Sequence, residues 1–118
     1  MQVVVLPDRP IEAHGSSGMT LHPLPAPPGD PQRHVVVVEL AQGGRIGRHP
    51  AVGWQVLVVM SGAGEVAGSD GVRVSITVGE AAVWEPGEQH ETTTRDGLVA
   101  TILESEDAPD LAGFVRRG

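Results

Sequence analysis

A chain of 118 residues has room for one sizeable hydrophobic core and not for two. Its formal charge is −7 with histidine neutral, and it contains no cysteine, lysine, tyrosine or asparagine. This excludes disulfides, thiolate and lysine Schiff-base chemistry and N-linked glycosylation, and argues against a nucleic-acid partner.

Eighteen valines, sixteen glycines and ten prolines against three aromatic residues describe a β protein with many turns. Residues 2–6, QVVVL, read as a short apolar strand stopped at Pro7 and the turn-prone Asp8-Arg9-Pro10. Residues 13–20 have loop composition. Residues 21–31, LHPLPAPPGDP, are too rich in proline for a helix or a central strand, and are expected to wrap the domain as a loop.

From residue 34 the pattern changes to strands. HVVVVEL (34–40) is apolar on both faces and reads as buried on both. Gly43 and Gly44 are expected to turn the chain. In WQVLVVM (54–60), alternation sets Gln55, Leu57 and Val59 on one face and Trp54, Val56, Val58 and Met60 on the other. Residues 61–64 are expected as a glycine turn before a short strand at 65–67. Asp70-Gly71 joins that strand to 72–78 as a hairpin. Strands follow at 81–84, 89–94 and 98–104, the last two joined across Asp96-Gly97. The acidic tail from 105 is expected as a short helix or a covering segment.

About eight short strands with frequent turn signals predict an all-β sandwich or barrel. The division expected is one domain over 1–118: an N-terminal strand and wrapping loop over 1–33, a barrel core over 34–104, and a tail. Strands apolar on both faces exceed what one small interior can cover. Either a second copy of the chain packs on the outer face as a homodimer, or the N-terminal segment covers it. The apolar runs are far shorter than the roughly 20 residues a spanning helix needs, and no basic stretch precedes the first one. The expected setting is cytoplasmic, with no membrane partner.

Two stretches carry a resemblance. GRIGRHPAVGWQVLVVMSG (44–62) and GEAAVWEPGEQHETTT (79–94) resemble the paired signature of the cupin superfamily, small barrels that hold a metal inside. In the first, His49 and Gly62 stand on register, while Ala51 replaces the second histidine and Gln55 the glutamate. In the second, Gly79, Gly87 and His90 match, Pro86 sits one place late, and Glu85 and Thr94 depart. The resemblance spans roughly residues 43–104. It implies a double-stranded β-helix, the jelly-roll or cupin barrel, and a divalent transition metal (iron, zinc, manganese or nickel) at His49 and His90.

Gln55 is then either a third, neutral ligand or a hydrogen-bonding lining residue, since an amide oxygen is a weaker donor than a carboxylate. Pocket-lining candidates are Arg48, Ala51, Glu85, Thr92 and Thr94. Alternation puts Thr92 and Thr94 on the His90 face and turns Glu91 outward. Glu85 either faces inward or is a solvated turn residue. Arg45 and Arg48 either orient an anionic substrate at the barrel mouth or belong to a solvated turn. His34 is a further ligand candidate on a neighbouring strand, whereas His14 and His22 lie in expected loops. Without a metal, His90 beside carboxylates is a plausible general acid or base.

Three functions compete: a metal-dependent enzyme of oxygenase or isomerase type acting on a small molecule, a non-catalytic binding or sensor module with a degenerate site, and a structural dimer. The cupin resemblance does not choose among reactions.

Overall fold

The computed structural model describes residues 1–26 and 33–117, Arg33 by its backbone alone. Among the described residues there are eight strands, one 3-10 turn and no α-helix. The strands are β1 (Arg9–Ile11), β2 (Ser17–Pro23), β3 (Arg33–Pro50), β4 (Trp54–Ala67), β5 (Arg73–Thr77), β6 (Ala81–Trp84), β7 (Gln89–Thr93) and β8 (Leu98–Ser105); the 3-10 turn is Ala13–Gly15. Among the described residues no helix is long and apolar enough to cross a membrane.

The barrel arises because two long strands each serve two sheets. The first half of β3 lies between β2 and β8, and its second half pairs with β7. The first half of β4 lies between β8 and β6, and its second half pairs with β7 and β5. One sheet therefore runs β1-β2-β3-β8-β4-β6 and the other β3-β7-β4-β5, all antiparallel, and the interior closes between them as a jelly-roll barrel.

Two expected turns are bends instead. Gly43 and Gly44 lie inside β3, and residues 61–64 lie inside β4 beyond a register shift between Val59 and Ser61. Gly62 has φ 78°, and a side chain there would overlap the Gly97 carbonyl. Glycine at this corner lets the strand change sheets without ending. A turn and a barrel corner share the same local glycine signal, and long-range pairing decides between them.

The N-terminal third also departs from expectation. Residues 2–6 pair with no strand among the described residues, and the strand comes later, at β1. β1 is short and at the sheet edge, where Pro10 is tolerated. The segment expected as a loop at 13–20 contains the 3-10 turn and the start of β2. That strand continues into the proline-rich stretch as far as Pro23 because Thr20, Leu21 and His22 ladder onto Glu39, Val38 and Val37. The rest of the expected wrapping loop, 27–31, lies outside the described residues. In the tail no helix forms among the described residues; Arg117 instead reaches Glu80 at 2.8 Å.

Alternation fills the interior as the sequence pattern demands. Val36, Val38 and Leu40 of β3, Leu57 and Val59 of β4, and Leu98, Ala100 and Ile102 of β8 are all buried, with Trp84 and Ile76 behind them.

Candidate functional site

At one end of the barrel the same inward rows turn polar. The ladder aligns His34 with Glu104 and Glu104 with Gln55, so these three stand side by side across β3, β8 and β4. On the facing sheet His49 of β3 is the register partner of His90 of β7. Between the walls lies a cavity of about 130 Å³, lined by these five residues, by His14, and by aliphatic side chains such as Val36, Ile46 and Ile102.

His49 owes its inward aspect to a bulge. Ile46 pairs with Thr92 and His49 with His90, so three steps along β3 match two along β7. The extra residue shifts the phase, and Ile46 and His49 both line the cavity while Arg48 points out. Within the bulge, Gly47 donates its N–H to Ser16 Oγ at 3.0 Å, and a side chain on it would overlap the His14 carbonyl. That bare backbone lets the 3-10 turn sit against β3, helped by Arg45 Nε donating to the Gly15 carbonyl at 2.9 Å. His14 is held there in the left-handed region, φ 59° and ψ 27°, a conformation costing about 1 kcal/mol outside glycine. Its ring stacks on His49 with centroids 4.2 Å apart and planes within 9°.

His90 is the innermost group, 1% exposed, with its ring 4.2 Å from that of His49 and 5.0 Å from that of Trp84. Neither of its ring nitrogens has a hydrogen-bond partner among the described residues. Burial, and then the neighbouring His49 and His14, push its pKa from 6.5 down to about 4, so it is neutral at physiological pH. The His49 Nδ1–H donates to the Gly47 carbonyl at 2.7 Å, which leaves Nε2 with a free lone pair. A backbone carbonyl fixing one imidazole nitrogen so that the other can bind is the usual outer support of a metal-ligating histidine.

The donor set has limits. Among the described residues no three His, Cys, Asp or Glu side chains are grouped to hold one ion. Imidazole ligates in its own plane, and the parallel planes of His14 and His49 cannot aim at a common point. The tilted pair, His49 and His90 at 58°, is free of that obstacle. A third donor must then be of another type, and the Gln55 amide, 5% exposed, lines the same cavity.

The five positions expected to line the pocket lie elsewhere. Arg48 donates to the carbonyls of Gly68 and Ser69 at 3.1 and 2.9 Å and so clamps the β4–β5 hairpin, because the bulge turns it outward. With Arg45 on Gly15 as well, neither arginine is directed at a substrate. Ala51 is packed in the core, its N–H and carbonyl bonded to Glu88 and Gly87. Glu85 is exposed in a tight turn closed by Glu88, where its N–H meets the Glu88 carboxylate at 3.0 Å. Thr92 and Thr94 do face inward but sit below the cavity. The Thr92 hydroxyl is buried without a partner, and Thr94 locks the next turn by donating to the Ala63 carbonyl at 2.7 Å and accepting the Gly97 N–H. Glu91 faces out towards Arg73, 3.5 Å away.

Sequence reasoning gave His14 little weight and passed over Glu104 as a site residue. Glu104 was within reach, since it ends the inward series Leu98, Ala100, Ile102, and its carboxylate lies 3.6 Å from His34 Nδ1. His14 carries no such periodic signal; only the contact through Gly47 brings it in.

No protein-family model matches this sequence, and no curated protein matches it. Solved structures do. The chain is similar to the polyketide cyclase RemF from Streptomyces resistomycificus, with 19% identity and a TM-score of 0.76 over 93% of this chain and 82% of that one. It is similar to a predicted oxalate decarboxylase from Thermotoga maritima, with 17% identity and a TM-score of 0.72 over 86% and 93% of the two chains. A cupin 2 conserved barrel domain protein from Rhodopseudomonas palustris gives 13% identity and a TM-score of 0.72 over 90% and 74%. At these identities the likeness is one of fold.

Proposed function

We propose that this chain, a barrel of the cupin fold, binds a small molecule in its cavity beside a divalent transition metal held by His49 and His90, with the Gln55 amide oxygen as third donor. The observation that carries the reading is His90: a buried imidazole with both nitrogens unpartnered among the described residues is costly unless a bound group completes it. The donors fit the group, since neutral imidazoles suit zinc, iron and nickel, and the amide oxygen adds a hard, uncharged ligand of the kind manganese takes. A metal bound there supplies Lewis acidity to a substrate oxygen.

The chain's own residues do the rest. The Gly47 carbonyl fixes the His49 tautomer. Burial keeps His90 unprotonated, so little proton competition opposes a ligand at neutral pH. Val36, Ile46 and Ile102 give the cavity apolar walls, and Glu104 with His34 stands at the mouth as a carboxylate–imidazole pair able to accept or return a proton. A cavity of about 130 Å³ is close to the ~150 Å³ that takes up one benzene-sized molecule, so a larger ligand extends past Glu104 and His34.

A second reading is a binding module without turnover. The stacking of His14 over His49 and the replacement of a charged ligand by Gln55 favour it. The partners in either reading are a small molecule and a second copy of the chain. Elemental analysis of the untagged protein tests the metal. The expected result is about one metal per chain, lost in His90→Ala and His49→Ala. Unchanged stoichiometry in both variants, or no uptake of iron, zinc, manganese or nickel by the wild type, would overturn the reading.

A further inference from the structure

A metal resolves only half of the problem that His90 presents. The bonding directions of its two nitrogens diverge across the ring, so an ion shared with His49 completes one of them and leaves the second buried. Among the described residues three buried side-chain polar atoms have no hydrogen-bond partner: both nitrogens of His90 and the hydroxyl of Thr92. Buried polar atoms are rarely left so, because each forfeits its hydration with nothing in return. All three fall on two residues of one short strand, which points to a common cause.

The strand brings them together. His90 and Thr92 stand two places apart on β7, so alternation sends both side chains inward with their Cα atoms about 7 Å apart, while Glu91 between them turns out to Arg73. Both are fully buried. The polar groups around them are already used. The Trp84 ring lies 5.0 Å from that of His90, but its N–H donates to the Ala67 carbonyl at 3.1 Å. His49 Nδ1 is committed to the Gly47 carbonyl. Thr94, next on the same inward row, is bonded to Ala63 and Gly97. Gln55 stands on the opposite wall, at the cavity. Thr92 itself pairs with Ile46 and Val66 on its two neighbouring strands, which offer no polar side chain. Within this row His90 and Thr92 are left to each other.

We propose that one buried water bridges the Thr92 hydroxyl to the His90 nitrogen turned away from the metal, and that Thr92 is thereby the positioning residue that fixes the His90 tautomer. No direct bond joins the two groups, and a water with arms of about 2.8–3.0 Å reaches across the gap between side chains two places apart. The ring N–H donates to the water and the water donates to Thr92 Oγ1, which leaves the lone pair of the other nitrogen free on the cavity side. Two polar partners are the fewest that hold a buried water, and here both are atoms that otherwise have none. Which nitrogen of an imidazole can bind a metal is set by the hydrogen bond that the other makes. His49 takes that support from a backbone carbonyl within the bulge. His90 takes it from a side chain, so substitution can remove it. The consequence for metal affinity rests on the cavity reading, whereas the tautomer is a property of the metal-free chain.

Comparison of the wild type with Thr92→Val and Thr92→Ser tests it. Valine keeps the shape and removes the hydroxyl; serine keeps the hydroxyl and removes a methyl group. A purely structural role for Thr92 would make serine the more damaging change, since it opens a cavity in the core. The bridge predicts the reverse order. Nitrogen NMR of the metal-free wild type should show His90 as one neutral tautomer, with cross-relaxation from a long-lived water to the Thr92 methyl group and the His90 ring. Thr92→Val should lose that water and show a mixture of tautomers, and its dissociation constant for zinc should rise about tenfold or more, while Thr92→Ser keeps all three properties near wild type. A wild type without the water contact, a single unchanged tautomer in Thr92→Val, or a Thr92→Ser variant that behaves like Thr92→Val would overturn the inference. A wild type that shows the water and the single tautomer but takes up no zinc would overturn the cavity reading and leave the bridge standing.

Discussion

The two ends of the barrel are built by the same strands with opposite chemistry. Along β3 the inward series runs His34, Val36, Val38, Leu40; along β4, Gln55, Leu57, Val59; along β8 in reverse, Glu104, Ile102, Ala100, Leu98. On every strand the polar residue stands at the same end. The aliphatic end accounts for the fold, since it supplies the apolar burial that closes the two sheets. The polar end adds nothing to that and includes buried groups without partners, which cost stability. Residues that weaken the fold at one level of the barrel mark the place where the chain keeps a site.

Substitutions at the two ends should therefore behave in opposite ways. The largest effect belongs to the aliphatic end: Leu57, with no exposed surface, should cost about 3 kcal/mol as Leu57→Ala, read by denaturant unfolding. An equal loss from substitutions at the polar end would remove the distinction. Next is the seam between them. Gly47→Ala drives a methyl group into the His14 carbonyl and should cost about 2 kcal/mol while releasing the 3-10 turn, seen as loss of the His14 ring's stacked environment by NMR.

His90→Leu should hold stability or raise it by about 1 kcal/mol, because two orphaned nitrogens leave the interior, while metal uptake disappears. The same residue sets a pH dependence. The unfolded His90 takes up a proton below about 6.5 and the native one only below about 4, so between these values the unfolded chain binds more protons. Stability should fall as the pH is lowered through that window, and His90→Leu should flatten the slope there. The smallest effect is expected outside the cavity. Arg48→Ala removes a hairpin clamp and should cost under about 1 kcal/mol with metal uptake intact.

Much of the barrel could be read in advance, because alternation is local. The strands at 54–60, 81–84 and 98–104 and the hairpin at Asp70-Gly71 follow from period and turn chemistry, and the opposition of His49 and His90 follows from two separately registered motifs. What was hidden depends on distant chain. Gly43–Gly44 and residues 61–64 look like turns until a second sheet is available for the strand to enter. Arg48 looked like a mouth residue until the bulge at Gly47 turned it outward. Thr92 and Thr94 were placed on the correct face, but periodicity says nothing of depth, and both lie below the cavity. His14 reaches the site by packing against a glycine over thirty residues away, which no spacing rule encodes.

The central claim, that His49 and His90 act as joint donors to one metal, is tested most directly by long-range nitrogen NMR of the imidazole rings during addition of zinc to metal-free protein. The account predicts that His49 Nε2 and one nitrogen of His90 shift together and saturate at one equivalent, with the His49 Nδ1–H retained on the Gly47 carbonyl. Resonances of both rings left unmoved at one equivalent, or a shift confined to the exposed His14, would contradict it.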